Sequence, residues 1–327
     1  MKPSLLFLLL LSGVSLLVGS VSITPLQVWH ALSGDGDELT RFIVFESRLP
    51  QLLTAILAGG ALAVSGLVMQ TLFANPLADP ALLGVNSGAS LGAALALLAF
   101  GGSWTVGDTT LTGVTLTIGA AFVGALAVIA LITLCSHYVR GNLALLITGV
   151  MISFFISALI SLLSFYATAD GVRSYIVWGL GNFAGVSLSR LPVMAACVLL
   201  PCGLILWQAL PLNALLLGSD YASNLGIRVK RVRTLLLLLT GLLTATVTAL
   251  CGPISFIGLA VPHMARLLLR SANHKRLLPL TLVGGANVAV LSLILSHLPG
   301  ERGTLPLAAI TPLMGVPVVL YILLRRN

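Results

Sequence analysis

Side chains that could perform acid–base, nucleophilic or metal chemistry are rare in the apolar segments of this chain of 327 residues. The ionisable groups deep in an apolar segment are His263 and Arg266. We interpret His263 as a structural histidine bonded to a carbonyl group, with metal ligation as the alternative. Four cysteines without metal-ligand spacing are interpreted as small buried hydrophobic residues: Cys135, Cys197, Cys202 and Cys251. The sequence therefore predicts no catalytic residue, no metal site and no enzyme.

An energy source for transport is also missing from the sequence. Proton-driven carriers need ionisable side chains within the membrane, and the apolar segments contain no deep carboxylate. The chain has no G-x-x-x-x-G-K-S/T loop, so it does not bind nucleotide in that way. If the protein moves a solute uphill, the energy must come from another subunit.

Composition predicts an all-α polytopic membrane protein. Hydrophobic residues make up 58% of the chain and charged residues 8%, whereas a soluble domain carries about 25% charged residues. The net charge of +8 does not indicate nucleic acid, because the basic residues lie in short loops between apolar runs. Ten apolar segments predict about ten transmembrane helices in one domain, 1–327: 1–22, 52–70, 82–100, 113–135, 143–167, 191–210, 234–251, 255–269, 278–297 and 305–324. The first could also be a signal peptide, but the nine segments after it favour a retained span.

The second apolar segment, 52–70, is unusually rich in small residues. Lipid does not favour small side chains, whereas neighbouring helices do, because small residues let backbones approach closely. We therefore expect a central second helix that is surrounded by the other helices.

The distribution of charge predicts the orientation. Lysine and arginine concentrate in the loops that lie on the same side as both termini, whereas the acidic residues concentrate in the opposite loops. The positive-inside rule then places both termini in the cytoplasm, the loop 23–50 outside and the loop 211–233 inside.

The basic loop 211–233 contains a short predicted helix. Ser219 or Asp220 could cap its first amides, and Gly226 is a typical left-handed terminator. A short cytoplasmic helix between two spans is a feature that a soluble partner protein can bind. An ordinary amphipathic loop whose arginines only orient the chain is the alternative.

Three motifs carry a resemblance to a known family: NPLADPALLGVNSGAS after the second span, GSDYASNLG at 218–226, and GPISFIGLAVPHMARLL from Gly252. Together they resemble the permease subunits of binding-protein-dependent ABC importers, in the FecCD/BtuC-like branch that takes up iron–siderophore complexes, haem and cobalamin. The resemblance covers essentially the whole chain, from Arg48 to the segment 313–317.

The resemblance implies a permease that carries one of these chelates from the periplasm to the cytoplasm through the bacterial inner membrane. It implies a homodimer with two ATPase subunits on the cytoplasmic side and a substrate-binding protein outside. ATP and Mg²⁺ would bind the ATPase, and this chain would hold no cofactor. The alternative is a secondary transporter of a small solute, driven by an ion gradient.

The resemblance also assigns roles to residues of this chain. The segment that contacts the ATPases is Gly218, Ser219, Asp220, Tyr221, Ala222, Asn224, Leu225 and Gly226. The cytoplasmic gate is formed by Asn75 and Leu77, and more loosely by Asn142 and Leu143.

A second set of residues fits a weakly binding translocation path with a wall of small, apolar and amide groups: Ser65, Met69, Gln70, Asn86, Ser87 and Ser90. A bulky chelate with its metal already coordinated needs no ligand set from the wall of such a path. The alternative for each residue is a polar contact between helices.

Arg48 matches a basic residue of the family that pairs with acidic groups of the binding protein. The chain departs from the family pattern where relatives commonly have charged residues: Gln51, Leu293, His297 and Thr304. Glu301 and Arg302 lie nearby and could replace the lost charges. We therefore expect docking to use Arg48 and Arg302 as exposed basic residues beside span ends.

Overall fold

The computed structural model describes residues 2–19, 21–106, 109–139, 141–298, 300 and 303–324. The helices of the first half are α1 (Lys2–Leu17), α2 (Pro25–Ser33), α3 (Glu38–Phe42), α4 (Leu49–Leu72), α5 (Val85–Ala94), α6 (Gly113–Tyr138) and α7 (Asn142–Tyr166). Those of the second half are α8 (Ala169–Gly179), α9 (Leu191–Trp207), α10 (Ala209–Leu215), α11 (Ser219–Asn224), α12 (Val229–Cys251), α13 (Ile257–Leu269), α14 (His274–Ser296) and α15 (Leu307–Leu324). π-helical turns at Ile43–Arg48 and Leu95–Ala99 and a 3-10 turn at Pro80–Leu83 extend them, and β1 (Ser103–Val106) pairs antiparallel with β2 (Thr109–Thr112).

Each of the ten predicted apolar segments contains a helix of the structure. Within the described ranges, five helices are long and apolar enough to cross a membrane, and the bent pair α9–α10 is a sixth candidate. The remaining predicted spans coincide with shorter apolar helices: α1, α5 with its π-helical turn, α13 and α15. The fold is thus predominantly helical with several candidate spans, as the composition predicts.

The central position of the second predicted span is confirmed. Helix α4 contacts α1, α9, α10, α12, α13 and α14. Nearly all its residues from Ala58 onward are buried, whereas α6 and α7 expose much of their surface. A helix enclosed in this way needs close neighbours on several sides.

Glycine residues make this close packing possible. A Cβ atom added to Gly59 would overlap the backbone carbonyl of Gly285 on α14, and one added to Gly285 would overlap the carbonyl of Gly59. On another face of α4, a Cβ atom on Gly66 would overlap the carbonyl of Gly258 on α13. The backbones therefore touch directly, which is the arrangement that small residues favour between membrane helices.

The connections at the end of the bundle opposite α11 are folded. The loop 23–50 contains α2 and α3, and its π-helical turn leads into α4 without a break. Helix α1 packs against α14 and α4, and Asn287 donates a hydrogen bond to the carbonyl of Ser4. Helix α1 is therefore part of the packed bundle.

We expect Gly66→Ala to lower the free energy of unfolding by about 1–3 kcal/mol, because the methyl group would force α4 away from α13. Gly203→Ala is the matched control, since Gly203 is also helical and a Cβ atom there meets nothing within 4 Å. Thermal unfolding of both variants in detergent measures the difference. Equal midpoints for the two variants would contradict direct backbone contact at Gly66.

Candidate functional site

The predicted ATPase-contacting segment forms an exposed helix at one end of the bundle. Helix α11 is preceded by α10, which bends by 58° from α9, and is followed by α12. Ala222 is fully buried against the bundle, whereas Tyr221 is 49% exposed and Leu225 is 60% exposed. Helix α11 and the residue after it thus expose an aromatic and an aliphatic side chain, while Ala222 packs against the bundle.

The ends of α11 are set by glycine. Gly218 is the residue before the helix, with φ of +107°, and no side chain caps the first turn. The expectation that Ser219 or Asp220 caps the helix is therefore wrong, because both residues lie inside it. The predicted stop at Gly226 is confirmed: its φ is +81°, and its amide donates to the carbonyl of Ser223.

The first predicted gate pair lies in the turn that follows α4, at the same end as α11. The carboxamide oxygen of Asn75 accepts the amide of Leu77 at 2.9 Å, and the Asn75 amide donates to the carbonyl of Gln70. Leu77 is 42% exposed. Asn75 and Gln70 line a cavity of about 610 Å³ together with His263 and Arg266. The turn is therefore held by the Asn75 side chain and by a backbone hydrogen bond, and it faces an open space.

The second predicted pair begins α7. Asn142 is its first residue and Leu143 is exposed. Helix α7 contacts the 3-10 turn Pro80–Leu83 a few residues further on, so the two pairs belong to neighbouring elements.

The polar residues assigned to a path on α4 are buried within the subunit. The Ser65 hydroxyl donates to the carbonyl of Thr240, and the Met69 sulfur accepts from the Thr240 hydroxyl. Gln70 donates to the carbonyls of Gly258 and Leu259 and accepts from Arg266 at 2.6 Å. In this conformation these groups join α4 to α12 and α13, which favours the polar-contact alternative.

The same holds for two of the three residues on α5. Asn86 accepts from the Thr248 hydroxyl on α12 at 2.9 Å, and the hydroxyl of Tyr175 on α8 is hydrogen-bonded to Ser90. Ser87 is half-buried. These contacts tie α5 to its neighbours, and a role in a path stays a prediction.

The predicted hydrogen bond between His263 and a carbonyl group is present. Its side chain is 7% exposed, and Nδ1 lies 2.8 Å from the carbonyl oxygen of Leu259, one turn earlier. The described residues contain no group of three or more His, Cys, Asp or Glu side chains that could hold a metal ion.

Cys202 and Cys251 are buried, whereas Cys135 and Cys197 are half-buried.

Arg48 is buried rather than exposed. Its side chain is 6% exposed, and its guanidinium donates hydrogen bonds to the carbonyls of Leu16 and Val21. The expectation of an exposed basic residue is therefore wrong: the π-helical turn directs the side chain back onto the end of α1. Arg302 and Glu301 lie outside the described residues.

The positions that depart from the family pattern share one cavity. A space of about 390 Å³ at the end opposite α11 is lined by Arg48 and by all four of them: Gln51, Leu293, His297 and Thr304. Sequence spacing alone does not reveal this grouping, because these residues come from three separate segments.

Asp79, in the turn that follows α4, is a buried titratable residue that the sequence motifs did not indicate as functional. Its Oδ1 accepts the amide of Ala81 at 2.8 Å, and a Cβ atom added to Gly258 would lie 2.6 Å from its Oδ2. Burial raises the pKa of Asp79 from 3.8 to about 6, and the hydrogen bond from Ala81 offsets part of that effect. An aspartate between two prolines in a short turn was the available signal.

Comparison with known proteins agrees with this architecture. The model of the FecCD transport family matches residues 5–325. The hemin transport system permease protein HmuU of Yersinia pestis is 34% identical, over 99% of this chain and 94% of that protein. The vitamin B12 import system permease protein BtuC of Klebsiella pneumoniae is 35% identical, over 98% of this chain and 92% of that protein. A metal-chelate type ABC transporter solved in an inward-facing conformation has a TM-score of 0.87 and 30% identity, over 99% of this chain and 98% of the matched chain.

Fold and similarity together define a membrane permease of the ABC importer class. The chain belongs to the FecCD transport family. The resemblance identified from its motifs is thereby confirmed.

The raised pKa of Asp79 predicts a pH-dependent stability. The folded state binds the proton of the Asp79 carboxyl group more tightly than the unfolded chain does. The free energy of unfolding therefore falls by up to about 3 kcal/mol as the pH rises from about 4 to about 6, and then levels off. Asp79→Asn keeps an oxygen acceptor for Ala81 but cannot ionise. We expect the difference in unfolding temperature between this variant and the original protein to grow in favour of the variant from pH 4 to pH 6. A difference that stays constant over this range would contradict the assignment.

Proposed function

We propose that this chain is the permease subunit of an ATP-driven importer that carries a metal chelate from the periplasm to the cytoplasm. The observation that carries the proposal is α11, a short exposed helix that packs against α10 and α12, and α10 in turn contacts the central helix α4. The family relationship supports the same role, since two relatives are named as permeases for hemin and for vitamin B12. Haem, cobalamin and ferric siderophores are the candidate cargoes.

The proposed topology has ten spans, both termini in the cytoplasm, and α11 on the cytoplasmic face of the bacterial inner membrane. Helices in all ten apolar segments support the span count. The lysine and arginine residues in the loops on that side support the orientation. The whole chain, 1–327, then forms a single permease domain, with a periplasmic loop at 23–50 and the ATPase-facing loop at 211–233.

We further propose a homodimer with a translocation path between its subunits. One row of α7 supports it, because large apolar side chains recur there at helical spacing and stay exposed in the single chain. They include Leu143, Ile147, Met151, Phe155 and Leu162. Such a face needs lipid or another subunit as its neighbour. The polar groups of α4 and α5 would reach a path only after the helices rearrange.

Docking of a binding protein on the opposite face is proposed with a changed role for Arg48. Because its guanidinium holds the carbonyls of Leu16 and Val21, Arg48 would shape the docking surface rather than touch the partner. Arg302 keeps its proposed role as a direct contact.

The experiment that tests the function uses liposomes that contain the permease and its cognate ATPase. The binding protein is added with haem, cobalamin or a ferric siderophore in turn, and uptake is followed with and without ATP. Uptake of one chelate that requires ATP hydrolysis is the expected result. Uptake driven by a proton or sodium gradient, without any ATPase, would contradict the proposal and favour a secondary transporter.

The exposed side chains of α11 provide a sharper test. We expect Tyr221→Asp combined with Leu225→Asp to weaken ATPase binding at least about tenfold, because two charges would have to be desolvated in an apolar contact. Leu298→Asp is the control, since Leu298 is 66% exposed at the opposite end of the bundle. Co-purification of the ATPase with each variant measures the effect. Undiminished recovery with the double variant would exclude α11 as the contact.

A further inference from the structure

A buried chain of hydrogen bonds joins the end of α4 to α10, the helix that precedes α11. The hydroxyl of Thr71 on α4 lies 2.9 Å from Nε2 of His274, the first residue of α14. Nδ1 of His274 lies 2.9 Å from Oδ1 of Asn213 on α10. Thr71 is 4% exposed and His274 is 1% exposed. Three helices therefore meet through one imidazole ring that is shielded from water.

The orientation of Asn213 is determined by its other partners. Its Oδ1 accepts the backbone amide of His274 at 2.8 Å, and its Nδ2 donates to Oδ1 of Asn273 at 3.1 Å. Because Oδ1 is an acceptor, Nδ1 of His274 must carry the hydrogen atom in that contact. In the neutral ring, Nε2 is then the acceptor for the hydroxyl of Thr71.

This assignment gives the Thr71 hydroxyl two competing acceptors. One is Nε2 of His274 at 2.9 Å, and the other is the carbonyl oxygen of Leu67 at 3.0 Å, one turn earlier in α4. A hydroxyl has one hydrogen atom, so it satisfies one acceptor at a time. A shift of α10 and α14 relative to α4 would change which bond is formed.

Both ends of this hydrogen-bond network continue through backbone hydrogen bonds into the proposed functional elements. From Asn213, backbone hydrogen bonds continue from Leu217 to Ala214 and from Ala222 to Gly218, and so into α11. On the other side, the carbonyl of Thr71 accepts the amide of Ala74, directly before the turn that contains Asn75 and Leu77.

We propose that Thr71, His274 and Asn213 form the connection that transmits movement of α11 to the gate turn Asn75–Leu77. This inference rests on the proposed function, since it assumes that α11 contacts an ATPase. His274 is the central positioning residue, because it bonds to both α4 and α10. When α11 is displaced, α10 moves His274, and the loss of its bond to Thr71 releases the end of α4.

The matched pair Thr71→Val and Thr71→Ser tests the connection during transport. Valine preserves the shape of threonine but removes the hydroxyl, whereas serine retains it. With Thr71→Val we expect uptake to fall about tenfold, the factor that corresponds to about 1.4 kcal/mol, while ATP hydrolysis changes by less than about twofold. More ATP is then consumed for each chelate imported, and Thr71→Ser restores the original ratio.

Thr244→Val is the control for lost burial and for the local hydrogen bond. Thr244 is 1% exposed, and its hydroxyl also donates to the carbonyl one turn earlier, at 2.9 Å. We expect this variant to keep the original ratio of ATP hydrolysed to chelate imported. An equal rise of the ratio in Thr71→Val and Thr244→Val, or no rise in either, would overturn the proposal.

A measurement on the permease without its partners separates this inference from the proposed function. The substitution Asn213→Ala removes the α10 end of the network. We expect it to accelerate amide hydrogen exchange at least about threefold in the peptide that contains Ala74–Ala78. Thr244→Val should leave that exchange unchanged. Unaltered exchange in Asn213→Ala would overturn the connection even if ATP-driven uptake is observed. Accelerated exchange together with uptake that needs no ATP would instead contradict the proposed function, and with it transmission from an ATPase.

Discussion

The direct contact between the backbone of α4 and those of α13 and α14 is the constraint on which the rest of the structure depends. At Gly59 and Gly66 the central helix has no side chain, and the carbonyls of Gly285 and Gly258 occupy that space. Helices packed this closely cannot separate without losing contacts along their length. The end of α4, and the turn that follows it, therefore has a defined position in the bundle.

Polar side chains inside the bundle complete this packing. Ser65, Gln70 and Asn86 bond to groups on neighbouring helices, where an unpaired polar group would be costly. A permease for a fully coordinated chelate does not need these groups as ligands. Their use within the subunit fits the proposal that the translocation path lies between two subunits.

The two ends of the bundle use charge differently. At the end opposite α11, Arg48 is enclosed by backbone carbonyls and stabilises the segment after α1. At the α11 end, Arg266 contacts Gln70 on the central helix, and the guanidinium of Arg233 lies over the ring of Phe73. In the proposed orientation these basic residues lie on the cytoplasmic side, and they also contact the elements around the turn Asn75–Leu77.

The sequence by itself determined the helical class, the ten apolar segments, the enclosure of α4, the glycine stop of α11 and the family, because each depends on composition or on patterns within short continuous segments. It did not determine that Arg48 is buried, or that Thr71 meets His274, 203 positions further along the chain. It also placed the cap of α11 on Ser219 or Asp220, where the structure has Gly218 in an unusual backbone conformation. Only tertiary structure decides such contacts, because the direction of a side chain and its partner depend on how distant helices cross.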